Sequence, residues 1–105
     1  MNECYTIPIS DESAELKEPL EIVISQILKT IKRKPRAIVT LRFPTAHDVT
    51  MYLNPVSFQT EHRTLEAVPI EVISRELRLY GYELRYERGN YASDLCLDIT
   101  RVEDS

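Results

Sequence analysis

The chain has 105 residues, of which 43% are apolar and 29% charged, and its formal net charge is -4. This length and composition predict one globular domain over residues 1–105, large enough to bury a core of its own. The charge is too small for a DNA mimic and has the wrong sign for a protein that coats nucleic acid over its whole surface. Binding to a polyanion would therefore have to be local.

The distribution of apolar residues predicts a soluble protein of the cytoplasm that has no contact with membranes. No apolar run is long enough to span a membrane, and the start of the chain lacks the basic and then apolar order of a signal peptide. Cys4 and Cys96 lie far apart and form no C-x-x-C pair. We expect two free thiols in a reducing compartment, unless the terminal strands lie side by side.

The first elements along the chain are predicted to be an edge strand and a helix. Residues 4–9 alternate apolar and polar side chains as a strand does, and Pro8, which lacks a backbone N–H, favours an edge position. Pro19 suits the first turn of a helix, and apolar residues follow it at helical spacing. We expect this helix to end near Lys34, because Pro35 disfavours helical geometry in the residue before it.

Two alternating segments after this helix predict a β-hairpin. Residues 36–43 and residues 48–53 each place apolar side chains at every second position, and a turn at residues 44–47 would join them.

The second half of the chain predicts the same order of elements. A short strand over residues 56–60 and a polar connector lead to a helix from Pro69 to about Tyr80. Gly81 lies where a left-handed residue would close that helix. Alternating residues then predict a second hairpin, with strands over residues 82–87 and 94–100.

A helix followed by a hairpin therefore occurs twice, which predicts internal repeats over residues 4–54 and 55–102. Residues 41–43 (Leu-Arg-Phe) and 84–86 (Leu-Arg-Tyr) hold similar places in the two halves. The predicted fold class is α+β: a two-layer sandwich of a mostly antiparallel sheet with two helices on one face, in pseudo-duplicated β-α-β-β order. The alternative is that two unrelated helix-then-hairpin segments resemble each other.

The uncovered face of this sheet is predicted to bind another protein. It would present Arg42 and Arg85 at equivalent places of the two halves, with Tyr52 and Asp98 beside them. Arginine and tyrosine side chains commonly anchor protein interfaces. One partner would be a second copy of the chain, giving a homodimer through a sheet edge or through this face. The alternative is an ordinary solvated face with cross-strand ion pairs.

A basic cluster over residues 29–36 supports a second hypothesis, nucleic-acid binding. Clustered cations bind a phosphate backbone without reading its sequence. The side chains that would bind it are Lys32, Arg33, Lys34 and Arg36. The competing explanation is that basic residues at the end of a helix complement its dipole. We rank nucleic acid below protein as the partner, because the rest of the chain is acidic.

Motifs for catalysis and cofactor binding are missing from the sequence. Gly81 and Gly89 are the only glycines, so no glycine-rich loop can hold phosphates, and no Gly-x-Ser-x-Gly elbow occurs. A third hypothesis, a metal-dependent or acid–base enzyme, would use His47, Asp48 and His62, whose spacing is unlike that of strong metal sites. We therefore predict a small non-enzymatic interaction or regulatory protein, adaptor- or inhibitor-like, without cofactor or metal.

Overall fold

The computed structural model describes residues 3–9, 19–32, 34–59 and 62–102, which form three helices and six strands. In chain order the elements are β1 (Glu3–Pro8), α1 (Pro19–Ile31), β2 (Arg36–Arg42), α2 (Ala46–Leu53), β3 (Val56–Gln59), β4 (Thr64–Ala67), α3 (Pro69–Leu79), β5 (Tyr82–Arg88) and β6 (Asp94–Arg101). The fold is α+β, as predicted, with a mixed four-stranded sheet and a separate β-hairpin.

The four-stranded sheet has the order β1-β2-β6-β5. β2 and β5 each pair antiparallel with β6, whereas β1 runs parallel to β2. A parallel pair needs a long crossover, and the chain between β1 and β2 contains helix α1. Within the described part of the chain, β1 pairs with β2 alone, so the edge position predicted from Pro8 is confirmed. β3 and β4 pair with each other in the separate hairpin.

The core lies on one side of the four-stranded sheet. All three helices contact this sheet, and alternate residues of its strands are buried together with helix side chains. The fully buried members include Val39 and Leu41 of β2, Leu95 and Leu97 of β6, Ile27 of α1, Val49 of α2, and Ile73 and Leu77 of α3. The intervening residues of β2, β5 and β6 are exposed or partly exposed, with Asp94 as the exception. We call the side of the sheet that carries these intervening residues the open face.

Residues 46–53 form helix α2, so the strand predicted over residues 48–53 is wrong. Thr45 caps this helix: its hydroxyl accepts the Asp48 N–H at 3.3 Å, and the Asp48 carboxylate accepts the Thr45 N–H at 3.2 Å. This reciprocal pair is a capping box, which satisfies two backbone donors at the start of a helix. The two buried residues of α2 are Val49 and Tyr52. They lie three residues apart, which is the spacing of one face of a helix and not of one face of a strand.

Neither half of the chain has the order β-α-β-β that was predicted for it, and in the first half helix α2 is the reason. The first half has the order β-α-β-α and the second half β-β-α-β-β, so the first predicted hairpin does not exist and three helices replace the predicted two. The predicted polar connector also contains a strand, β4, which pairs with β3. The short strand predicted after residue 55 and the second hairpin are confirmed as β3 and as β5 with β6.

Both long helices begin where the sequence indicated, at Pro19 and Pro69. α1 ends at Ile31, three residues before the predicted end, because Lys32 takes a left-handed backbone conformation with φ of 42°. α3 ends at Leu79, and Gly81 has φ of 88°, which confirms its predicted role as the left-handed closing residue.

Replacing Thr45 with alanine is expected to lower the free energy of unfolding by about 1 kcal/mol, because the N–H of Asp48 loses its acceptor. Serine at the same position keeps a hydroxyl and should retain most of the stability. Urea unfolding of the two variants beside the unmodified protein measures the difference. If the alanine and serine variants unfold at the same urea concentration, the capping box does not stabilise α2.

Candidate functional site

The open face is a polar surface across the three strands β2, β6 and β5. Its exposed or partly exposed side chains are Arg36, Ile38, Thr40 and Arg42 of β2, Cys96, Asp98 and Thr100 of β6, and Glu83, Arg85 and Glu87 of β5. A shallow depression of about 300 Å³ lies on it, lined by Arg36, Glu83, Arg85, Asp98 and Thr100. Both signs of charge therefore meet within one small area.

An ion pair between Arg36 and Asp98 crosses from β2 to β6 at this depression. The Arg36 Nε lies 3.1 Å from Asp98 Oδ1, and the Arg36 Nη2 lies 2.8 Å from Asp98 Oδ2. The hydrogen bond to Asp98, and then the negative charge of Asp98, raise the pKa of the Arg36 guanidinium. Because both side chains are partly in water, the pair orients its groups and contributes little to stability.

Arg85 lies directly opposite Asp98 in the pairing of β5 with β6, and it is exposed. The Asp98 carboxylate is already engaged by Arg36 through both of its oxygens. Among the described residues, no carboxylate accepts a hydrogen bond from the Arg85 guanidinium. Its fork of N–H donors can therefore bind a carboxylate that comes from outside the protein.

Arg42 is exposed on the open face, but its guanidinium is paired with a carboxylate of the protein itself. Its Nε lies 3.1 Å from Asp94 Oδ1 and its Nη2 lies 3.3 Å from Asp94 Oδ2, and the hydrogen bond to Asp94 raises the pKa of the guanidinium. The Tyr91 ring centroid lies 5.7 Å from the guanidinium carbon. Asp94 is 3% exposed, so Arg42 supplies the counter-charge of an almost fully buried carboxylate. Arg42 lies opposite Asp94 of β6, whereas Arg85 lies opposite Asp98.

Gly89 makes room for Asp94 at the turn between β5 and β6. The Gly89 N–H donates to the Asp94 carbonyl at 3.0 Å, and a Cβ added at Gly89 would lie 2.8 Å from the Asp94 Cβ. Replacing Gly89 with alanine is therefore expected to lower the free energy of unfolding by about 1–2 kcal/mol, as overpacking does elsewhere. Asn90→Ala, one residue further in the same turn, is the control and should change it by less than about 0.5 kcal/mol. Urea unfolding measures both, and equal stabilities would contradict the close approach.

Tyr52 is not on the open face, where the sequence predicted it to lie beside Arg42 and Arg85. It belongs to α2, is 1% exposed, and packs its ring edge-on against Phe43 with the centroids 4.6 Å apart. Its hydroxyl has no hydrogen-bond partner among the described residues. Burial, and then the charge of Asp48, raise the pKa of Tyr52 to about 12. A partner at the sheet cannot reach this side chain.

The residues of the basic cluster do not form a row of unpaired cations. The Lys34 ammonium donates to the Tyr5 hydroxyl and lies 4.8 Å from the centre of the Tyr5 ring. Arg36 is bound to Asp98, and Lys32 is exposed at the end of α1. Arg33 lies outside the described residues. Of the four described cations of the cluster, Lys34 and Arg36 are thus held by groups of the protein itself, whereas Lys29 and Lys32 are exposed.

Cys4 and Cys96 are both free thiols, and β2 separates their strands. Burial, and then the charge of Glu87, raise the pKa of the Cys96 thiol, although a hydrogen bond with Thr40 acts in the opposite direction. A raised pKa leaves less of the nucleophilic thiolate at neutral pH.

The residues proposed for a metal site do not form one. His47 and His62 are exposed, and Asp48 is part of the capping box of α2. Within residues 3–9, 19–32, 34–59 and 62–102, no three histidine, cysteine or acidic side chains are grouped to hold a metal ion. None of the helices in those ranges is both long and apolar enough to cross a membrane.

The two ion pairs of this site, Arg36 with Asp98 and Arg42 with Asp94, were not predicted from the sequence. Arg36 was assigned to the basic cluster, and Asp94 was assigned no partner, because neither pair can be found before the register of β2 against β6 is known. Arg42 and Asp94 are direct neighbours in that register. Comparisons of the chain with protein-family models, with curated proteins and with solved structures find no match.

Proposed function

We propose that this chain is a small non-enzymatic protein that recognises another protein through its open face and acts as a regulator, in the manner of an adaptor or inhibitor. The observation that carries the proposal is the position of Arg85, which is exposed beside an aspartate that Arg36 already neutralises. Such an arginine gains a strong bidentate contact when a partner supplies a carboxylate. Arginine is also enriched among the residues that dominate binding energy at protein interfaces.

The arrangement of layers supports the same proposal. Helices on one side of the sheet, as in a two-layer sandwich, leave the other side available to a partner. Glu83 and Glu87 flank Arg85 on the same strand and face, so a complementary surface would place an acid between two bases. A surface with alternating charges excludes more partners than a surface of one sign, because a partner must match each charge in order. We place the protein in the cytoplasm.

The partner is another polypeptide, and a second copy of this chain is one such partner. Nucleic acid is less favoured, because Lys34 and Arg36 of the basic cluster are engaged by Tyr5 and Asp98. Binding of phosphates there would have to break contacts that already exist.

The test compares Arg85→Ala with Arg75→Ala, a change at an exposed arginine of α3 that lies away from the open face. The tagged unmodified protein and both variants are expressed in the cells of origin, and the proteins that co-purify are quantified by mass spectrometry. A partner of the open face should be retained by the unmodified protein and by Arg75→Ala, and lost with Arg85→Ala. Circular dichroism confirms that both variants fold. Retention of every partner by a folded Arg85→Ala variant would refute recognition through Arg85.

A further inference from the structure

β5 is the outer strand of the four-stranded sheet, and within the described part of the chain it pairs with β6 alone. At the ends of this ladder, the Gly89 N–H donates to the Asp94 carbonyl at 3.0 Å and the Val102 N–H donates to the Gly81 carbonyl at 2.8 Å. Hydrogen-bonded pairs alternate along an antiparallel ladder. The backbone groups of residues 83, 85 and 87 therefore point to β6, and those of residues 82, 84, 86 and 88 point outward from the sheet.

An edge with unpaired backbone groups attracts another strand, and proteins often protect such edges with charges. The charges on the open-face side of β5 alternate in sign: Glu83, Arg85 and Glu87. Alternating charges do not repel a second copy in every register. They decide which register is allowed, because opposite charges across two strands stabilise the pair and like charges destabilise it.

Three antiparallel registers of β5 with a second β5 bring matching backbone groups together over at least five residues of the strand. A pair centred on Arg85 sets Arg85 against Arg85 and Glu83 against Glu87, so only like charges meet. A pair centred on Tyr86 sets Arg85 against Glu87 but brings Leu84 against Arg88. A pair centred on Leu84 sets Glu83 against Arg85 twice. It also places Leu84 against Leu84 and Tyr82 against Tyr86 on the other side, so every pair is complementary.

We propose that β5 pairs with β5 of a second copy, antiparallel and centred on Leu84, and so joins two four-stranded sheets into one of eight strands. Tyr86 is on the core side of β5 but remains 44% exposed, and the second strand would cover part of it. The open faces of the two copies would become one continuous surface. The inference rests on the proposed function in naming a second copy as a partner: in this register the Glu83 carboxylate of the second copy is the outside carboxylate that reaches Arg85, while the rest of the open face stays uncovered.

The test uses Glu83→Arg and Arg85→Glu, each of which creates like-charged pairs in this register. Each variant alone should raise the dissociation constant of the dimer about tenfold or more, as two lost ion pairs and two new repulsions require. A mixture of the two variants in equal amounts should form a heterodimer, because the two basic side chains of the Glu83→Arg chain then face the two acidic side chains of the Arg85→Glu chain. The double variant Glu83→Arg/Arg85→Glu should again form a homodimer. Arg75→Glu, which changes the net charge as Arg85→Glu does, should leave the dimer intact.

Sedimentation velocity over a range of concentrations gives the mass, and native mass spectrometry separates heterodimer from homodimer. The unmodified protein should approach twice its chain mass of 12.2 kDa. A second variant, Tyr86→Pro, removes an outward N–H and no N–H that points to β6, so it should fold and be monomeric. An unmodified protein that remains monomeric, a mixture that forms no heterodimer, or a Tyr86→Pro dimer would each overturn the proposal. Because Arg85 also belongs to the proposed dimer, Tyr86→Pro separates the two proposals: it keeps Arg85 and loses the edge. A different protein that binds monomeric Tyr86→Pro and not Arg85→Ala would support recognition through the open face without the dimer, and a dimer without such a protein would support the edge pairing alone.

Discussion

Replacing Leu77 with alanine is expected to lower the free energy of unfolding by about 3 kcal/mol, whereas Leu79→Ala should change it by less than about 0.5 kcal/mol. The two leucines lie two residues apart on α3, but Leu77 is 0% exposed and Leu79 is 79% exposed. Truncating Leu77 removes buried methyl groups and leaves a cavity between α3 and the sheet. Truncating Leu79 removes carbon atoms that are already in water.

Urea unfolding of both variants measures this contrast, with helix propensity matched because both changes are leucine to alanine. The unfolding slope with urea should stay the same, since both native states bury a similar surface. Similar losses at the two positions would contradict the orientation of α3 in the structure. A larger loss at Leu79 would mean that this residue is covered by a second chain.

Tyr52 is expected to make the fold sensitive to alkali. Its pKa is raised to about 12 by burial and by Asp48, whereas the unfolded chain has the ordinary value near 10. Between these values the folded protein binds a proton that the unfolded chain releases. The stability from this proton is fully present below the unfolded pKa of about 10 and is lost as pH rises through the folded pKa. The total loss is roughly 2–3 kcal/mol.

Tyr52→Phe removes this dependence and keeps the ring against Phe43. At neutral pH the variant should be as stable as the unmodified protein or about 1 kcal/mol more stable, because the hydroxyl that it removes is buried without a partner among the described residues. Urea unfolding at pH 7 and at several values between about pH 10 and 12 measures the difference, with Tyr80→Phe, at a side chain that is 62% exposed, as the control. If the Tyr52→Phe protein loses stability with pH as steeply as the unmodified one, then Tyr52 does not titrate in this way.

Two kinds of element could be predicted from the sequence: those whose apolar residues recur with a regular period over many positions, and those that a proline or a glycine bounds. α1 has 13 residues with one apolar stripe, and α3 is bounded by Pro69 and Gly81. α2 has eight residues, and its Val49, Met51 and Leu53 also fit a strand. The signal that decides between the two is the Thr45–Asp48 capping box, which begins in the segment that was assigned to a turn. Short apolar segments are ambiguous in this way, and local capping resolves them.

The candidate site was predictable in part for a related reason. Alternation along β5 and β6 is a local property, so Arg85 and Asp98 could be assigned to one face from the sequence alone. The partners of Arg36 and Arg42 depend on how β2 lies against β6, and these strands are far apart in the chain. The register between two strands that are distant in the chain cannot be predicted from the sequence of either strand alone. The error at Tyr52 followed from the error in α2.

The proposed function requires a sheet with one packed side and one open side, and two adjacent residues of β2 test this requirement directly. Val39 is 0% exposed on the packed side, and Ile38 is partly exposed on the open face. Urea unfolding of Ile38→Lys and Val39→Lys is the measurement. We expect Ile38→Lys to unfold cooperatively with stability changed by less than about 1 kcal/mol, and Val39→Lys to lose cooperative folding. If Ile38→Lys also fails to fold, the sheet is buried on both sides and Arg85 has no open surface to act from.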